Sequence, residues 1–238
     1  MLLDARPQPI TIDPARTALL VVDMQNDFGT KGGMFDRAGI DISQIQKAVA
    51  PTARVIAAAR KAGMRVIYLK MGFRPDLSDA GPPDSPTWIK HAMMHFGEEV
   101  RAPDGTKGRI LIRDTWNTEI VSELQPQPDD IVVWKTRYSG FYQTELDSVL
   151  KRLNAKALVV TGCTTSVCVE STIRDATFRD YSPVLLADCT AEPIGRDLPA
   201  SNHEASLLLI ETLFGWISHS DHFLKALEVR PAATAKQA

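Results

Sequence analysis

Short runs of consecutive apolar residues, separated by longer stretches of helical periodicity, constrain this chain more than any other feature. Ala18, Leu19, Leu20, Val21 and Val22 form one such run, ending abruptly at Asp23. Others lie at 65–69, 131–134, 157–160 and 183–187. A strand with one wet face alternates apolar and polar residues, so an unbroken run predicts a strand covered on both faces. Between the first two runs, Ile45, Val49, Ala53, Ile56 and Ala59 recur at helical spacing over 42–62, and Gly63 supplies a stop. Further helices are predicted over 144–153, 166–179 and about 202–213, and 109–112 reads as a short extra strand.

Strands alternating with helices, joined by right-handed crossovers, give a parallel sheet with helices on both faces. The expected fold class is therefore α/β: a single-domain three-layer α/β/α sandwich with a mainly parallel, Rossmann-like sheet. The 238 residues, 44% of them hydrophobic, suffice for one such core. Residues 1–16 read as an N-terminal extension, 17–230 as the domain and 231–238 as a frayed tail. The Pro- and Gly-rich stretch 73–87 reads as a long loop of the kind that forms lids and binding elements. A net charge of -2 offers nothing to nucleic acid or an anionic membrane. No apolar run approaches the ~20 residues that span a bilayer, and the start of the chain lacks the pattern of a secretory signal. The cysteines, Cys163, Cys168 and Cys189, are too few for a disulfide framework. These features predict a soluble, cytoplasmic protein.

Ligands of open parallel sheets bind beyond the carboxyl ends of the strands, so the polar residues that follow each apolar run matter most. Asp23 follows the first run and Lys135 the third. Cys168 follows the fourth, in the first turn of a predicted helix. A thiolate is a strong nucleophile favoured by a helix N-terminus. A carboxylate can accept the thiol proton and return it to a leaving amine, and an ammonium can hold that carboxylate and stabilise developing negative charge. Singly, each has a plainer reading: a core thiol, a turn residue, a solvated charge. Their placement after separate strands favours the chemical one.

Residues 18–28, the lysine after the third strand, and Thr161-Gly162 through Val167-Cys168-Val169-Glu170-Ser171-Thr172 together resemble the isochorismatase-like cysteine hydrolases, from about Thr17 to Leu227. The resemblance implies a catalytic triad of Asp23, Lys135 and Cys168. It also implies a cis peptide between Cys163 and Thr164, and an oxyanion hole made by the N–H groups of Thr164 and Cys168. Within the family, 135–141, 168–175 and 211–216 are most similar to the branch acting on ureidoacrylate. Met71-Gly72-Phe73 and Cys163-Thr164-Thr165 depart from that branch. Hydrolysis of a C–N bond in a small ureide or amide follows as the expected activity, with biuret, triuret and N-carbamoyl amino acids as alternative substrates. A non-catalytic fold-mate that binds a partner protein is the alternative from another class.

No cofactor is expected. Metal-dependent relatives carry an Asp-x-His motif after the second strand, where this chain has Lys70-Met71-Gly72-Phe73. His91 and His95 have one-turn spacing but no third ligand, and read as surface or subunit-contact histidines. His203, His219 and His222 follow no motif. Asn26, Phe28, Met71, Phe73, Arg137 and Tyr138 are the candidate substrate contacts, Arg137 for an anionic or ureido group. Glu170 and Arg174 read as a helical ion pair and Cys189 as an inert core residue. Trp88, Met93, Met94, Phe214 and Trp216 are apolar candidates for subunit contacts, and the resemblance implies a dimer or tetramer.

Overall fold

The computed structural model describes residues 1–195, 198–199 and 201–228; the tail at 231–238 lies outside them. Its six-stranded sheet consists of β1 (Thr17–Val22), β2 (Arg65–Met71), β3 (Ile131–Lys135), β4 (Ala157–Cys163), β5 (Ser182–Ala191) and β6 (Trp216–Ser218). The spatial order is β6-β5-β4-β1-β2-β3, and every neighbouring pair is parallel. The chain runs outward one way from β1 through β2 to β3, then returns to β4 and runs the other way. That reversal opens a crevice between the carboxyl ends of β1 and β4, where doubly wound sheets bind ligands.

Two helical layers enclose the sheet. Leu19 and Val21 of β1 face the layer of α1 (Ser43–Lys61), whose Ile45, Val55, Ile56 and Ala59 join one core cluster with Phe223 of α6 (Ser220–Glu228). Leu20 and Val22 point the other way, onto Leu146, Val149 and Leu150 of α3 (Leu146–Arg152) and Ile173 of α4 (Glu170–Thr177). Burying each of the Leu, Val, Ile and Phe side chains among these stabilises the fold by about 1.5–3 kcal/mol. This explains why the strand sequence is apolar without alternation.

The strands and the helix in 42–62 lie where the apolar runs place them. Several elements depart from expectation. The helix read over 202–213 stops as α5 (Asn202–Leu209) and widens into a π turn, Ile210–Phe214, before Gly215 leads into β6. β6 itself is too short to leave a pattern. Residues 109–112 do not add a sheet strand: Lys107–Arg109 pairs antiparallel with Glu99–Arg101, and Ile112 makes one bridge to Phe73. The loop at 73–87 runs into α2 (Pro86–Ala92), capped by the Ser85 hydroxyl, which accepts from Trp88 N–H. The first residues are not loose. Leu2–Leu3 pairs with Ile10–Thr11, and Arg6 exchanges backbone hydrogen bonds with Ile217, covering the edge of β6. No described helix is long and apolar enough to cross a membrane.

Candidate active site

Three elements of the sheet deliver a carboxylate, an ammonium and a thiol to one point. Asp23 leaves β1 with φ 50°, a left-handed conformation that Asp tolerates better than most residues. Its N–H donates to Leu69 O (2.9 Å), so the turn is tied to β2. Lys135 ends β3, with its Nζ 2.7 Å from Asp23 Oδ2 and 3.3 Å from Cys168 Sγ. The ammonium also lies 3.3 Å from Arg137 O and 3.8 Å from Met71 Sδ. Cys168 sits in a π turn, Thr165–Val169, between β4 and α4. All three side chains are buried.

The approach of β4 to β1 needs Gly162. At φ +113°, a Cβ there would stand 2.0 Å from Val22 O, an overlap no side chain can relieve. The next peptide, Cys163–Thr164, is cis, as the resemblance implies. Cys163 Sγ lies 3.1 Å from Asp23 O, joining the end of β4 to the turn that carries the carboxylate. Beyond it, Glu192 fixes the segment leading to the thiol: one carboxylate oxygen accepts from Ser166 N (2.9 Å) and Oγ (2.6 Å), the other from Ile194 N (3.0 Å).

Burial sets the charges. It pushes the Asp23 carboxyl above the ordinary carboxylate value, with Lys135 pulling the other way. Burial also works against the Lys135 ammonium, but the Asp23 and Cys168 groups outweigh it and hold its pKa above normal. The Cys168 thiol is raised by burial, opposed by Lys135 and reinforced by the negative charge of Asp23. Burial thus favours the neutral thiol of Cys168, beside a Lys135 Nζ that lies 2.7 Å from Asp23 Oδ2. The raised Asp23 is a better proton acceptor than an exposed aspartate. Breaking such a buried pair costs about 3–5 kcal/mol.

The thiol opens into a cavity of about 360 Å³. Phe28, Met34, Phe35, Met71, Leu111, Val167 and Ile194 give it apolar walls. Thr164 and Tyr138 line it too, and α2 with the residues after it contributes Lys90, His91, Met93 and Met94. Asp23, Cys168, Phe28, Met71, Thr164 and Tyr138 thus meet around one space, and Lys135 lies outside its lining but in contact with Asp23 and Cys168. The other candidates stand elsewhere. Asn26 is buried, but its amide donates to Trp116 O (2.8 Å) and accepts from Thr30 Oγ1 (2.8 Å), and it borders a separate surface cavity. Phe73 is wholly buried behind His91, with ring centroids 5.3 Å apart. Arg137 donates from Nη1 to Thr136 O (2.7 Å) and borders a different cavity with Arg74 and Arg113.

His91 corrects the sequence reading. It is a buried wall of the cavity rather than a surface histidine. Its ring lies 6.0 Å from Tyr138 in a stacked arrangement, and its Nδ1 is 2.7 Å from Thr87 O. A carbonyl can only accept, so Nδ1 carries the proton. Burial holds the imidazole pKa below its usual value, which keeps the ring neutral. His95 is exposed and 3.1 Å from Glu98. Trp88 and Met94 pack against the core, whereas Met93 is exposed. Glu170 and Arg174 form an ion pair at 2.6 Å.

Two buried supports were missed. Gln25 donates to Met71 O (2.9 Å) and Thr118 O (3.1 Å) and accepts from Met71 N (2.7 Å), pinning the loop after β1 to the end of β2. Asp27 accepts from Met34 N (2.9 Å), Leu111 N (2.7 Å) and Asn117 Nδ2 (2.6 Å), gathering much of the cavity wall around one carboxylate. Burial pushes its pKa up to about 6 against those hydrogen bonds. Both lie in the Asp23–Phe28 motif, whose polar residues were the available signal. Among the described residues, no group of three or more His, Cys, Asp or Glu is placed to hold a metal ion.

The isochorismatase domain model matches residues 17–222, nearly the whole of this doubly wound sheet and its helices. The chain belongs to the isochorismatase family. Its relatives include the ureidoacrylate amidohydrolase RutB of Methylobacterium radiotolerans, 43% identical over 99% of this chain and 88% of that protein. The protein of the same name from Agrobacterium fabrum is 44% identical over 94% of this chain and 95% of its own length. Among solved structures, a cysteine hydrolase from Pseudomonas syringae pv. phaseolicola superposes with a TM-score of 0.77 at 31% identity, covering 96% of this chain and 97% of that one. The N-carbamoylsarcosine amidase of Thermoplasma acidophilum gives 0.63 at 26% identity, covering 87% and 97%.

Proposed function

We propose that this protein hydrolyses a C–N bond of a small ureide, ureidoacrylate first among them, through a covalent adduct on Cys168. The observation that carries the reading is the contact of Lys135 Nζ with both Asp23 (2.7 Å) and Cys168 (3.3 Å), two residues that line an apolar cavity. The relatives named as ureidoacrylate amidohydrolases support the same substrate.

In this scheme Asp23 accepts the Cys168 proton as sulfur attacks the ureide carbonyl. The N–H groups of Thr164 and Cys168 hold the oxyanion, and Lys135 stabilises the charge as it passes between sulfur and carboxylate. Asp23 then protonates the nitrogen that leaves as an amine, and a carbamoyl group remains on sulfur. Asp23 next takes a proton from water, whose attack on that group releases the thiolate and carbamic acid, which loses its proton to solvent as carbamate. The thiolate recovers the proton from Asp23, closing the cycle.

The test is product release by the purified protein from ureidoacrylate, biuret, triuret, an N-carbamoyl amino acid and nicotinamide, with Cys168→Ala as the blank. Ureidoacrylate turnover well above the rest supports the reading; turnover that persists in Cys168→Ala contradicts it. The reading extends to a cytoplasmic homo-oligomer, dimer or tetramer. Sedimentation of the protein as a monomer at assay concentration would contradict that part.

A further inference from the structure

The substrate proposed above has two ends, and the floor of the cavity accounts for only one. The ureido carbonyl meets Cys168; the carboxylate of ureidoacrylate must come to rest against the apolar walls or at the mouth. A carboxylate set against methionine and phenylalanine without a partner is costly, so the cavity needs a cation beyond Lys135, which is committed to Asp23.

Candidates reduce quickly. Arg137, the arginine nearest in sequence to the floor, borders another cavity. His91 is held neutral, with its proton on Nδ1 facing Thr87 O. Lys90 remains. It lies on the exposed side of α2 and lines the cavity together with His91, Met93 and Met94. Among the described residues, no carboxylate is paired with it. Among the described residues, the one carboxylate lining the cavity is Asp23, which is 2.7 Å from Lys135 Nζ. Tyr138 completes the mouth. Burial and the Cys168 sulfur raise its pKa, so its phenol remains a hydrogen-bond donor.

We infer that Lys90, assisted by the Tyr138 hydroxyl, binds the carboxylate of the substrate and makes this cavity selective for ureido acids over neutral ureides. The inference rests on the hydrolytic reading only for the choice of ligand. An ammonium at the mouth of an apolar cavity also draws an anion inward, because the walls screen its field less than water does.

Binding tests it apart from turnover. Calorimetric titration of Cys168→Ala with ureidoacrylate and with its neutral primary amide gives two dissociation constants, repeated after adding Lys90→Met or Lys90→Arg. Lys90→Met is expected to weaken the acid about tenfold, as for loss of a charge-assisted hydrogen bond, and to leave the amide within about twofold. Lys90→Arg is expected to retain most of the acid affinity, and added salt to weaken the acid only where the cation is present. Equal acid affinity with and without Lys90, an equal loss for acid and amide, or no acid binding at all overturns the inference. If the intact enzyme is silent toward ureidoacrylate while Lys90 still governs acid binding, the hydrolytic reading fails and this one stands.

Discussion

The floor and the mouth of the cavity are built on different principles. At the floor, every reactive group sits at or just past the end of a strand, and backbone pairing fixes its position to the register of the sheet. Val22 pairs with both Leu69 and Gly162, and Met71 pairs with Lys135. At the mouth, α2 and the residues after it are held by an aromatic cluster of Phe73, Trp88, His91 and Phe96, all in edge contacts with centroids 5.1 to 5.3 Å apart along the chain from Trp88 to Phe96 to Phe73 to His91. A floor set by a buried sheet can keep one chemistry, while a wall set by side-chain packing can change its contacts without disturbing the strands. The difference teaches where reaction and selectivity are to be sought.

Breaking the floor should produce the largest effects. Cys168→Ala is expected to reduce kcat by at least about a thousandfold while leaving the fold intact, read from product release and circular dichroism. Lys135→Met should cost activity by about a hundredfold or more. It should also lower the unfolding free energy by roughly 3–5 kcal/mol, because it strands the buried Asp23 charge; urea denaturation measures the second effect. A stability equal to wild type would show that Asp23 is uncharged at rest.

The wall should respond less. Lys90→Met is expected to raise KM about tenfold for the acid substrate with kcat little changed, consistent with an interaction made equally before and during reaction. Asp27→Asn sharpens the comparison, since its carboxylate organises the wall but touches no reacting group. It should lower kcat/KM several-fold, because the amide presents an N–H to one of the donors that the carboxylate accepts. It should also change the pH dependence of stability. The folded pKa of about 6 lies above the ordinary value of 3.8, so the folded state binds this proton more tightly than the unfolded one. Through this group, stability is greatest below the unfolded value and declines as pH rises toward 6. Asp27→Asn should flatten that part of a denaturation series. Smallest of all, Glu192→Gln should lower activity only a few-fold, since it loosens Ser166 without removing a reacting atom.

The same division governs what could be read from the sequence. Unbroken apolar runs marked the strands because both faces of the sheet are covered, and the residues after them, Asp23, Lys135 and Cys168, were therefore found together. The mouth left no such signal. His91 looked like a surface residue because its burial depends on Phe73, Phe96 and Tyr138, which approach it only in the folded chain. Arg137 looked like an anion contact because it follows Lys135 closely. The backbone at that point instead carries its guanidinium toward Thr136 O and a neighbouring cavity. Asn26, in the same motif as Asp23, turns to Trp116 for a like reason. β6, only three residues long, is set by pairing with β5 rather than by a pattern of its own, and α6 was not anticipated although Phe223, Ala226 and Leu227 recur at helical spacing.

The central claim is that Cys168 sulfur carries the acyl group of a ureide during turnover. Rapid acid quench of the protein reacting with excess ureidoacrylate, followed by intact-mass and peptide mass spectrometry, tests it most directly. The account predicts a transient gain of one carbamoyl group on the peptide containing Cys168, absent in Cys168→Ala and lost as substrate is exhausted. Product formation at full rate with no adduct at any quench time, or an adduct on another residue, would contradict it.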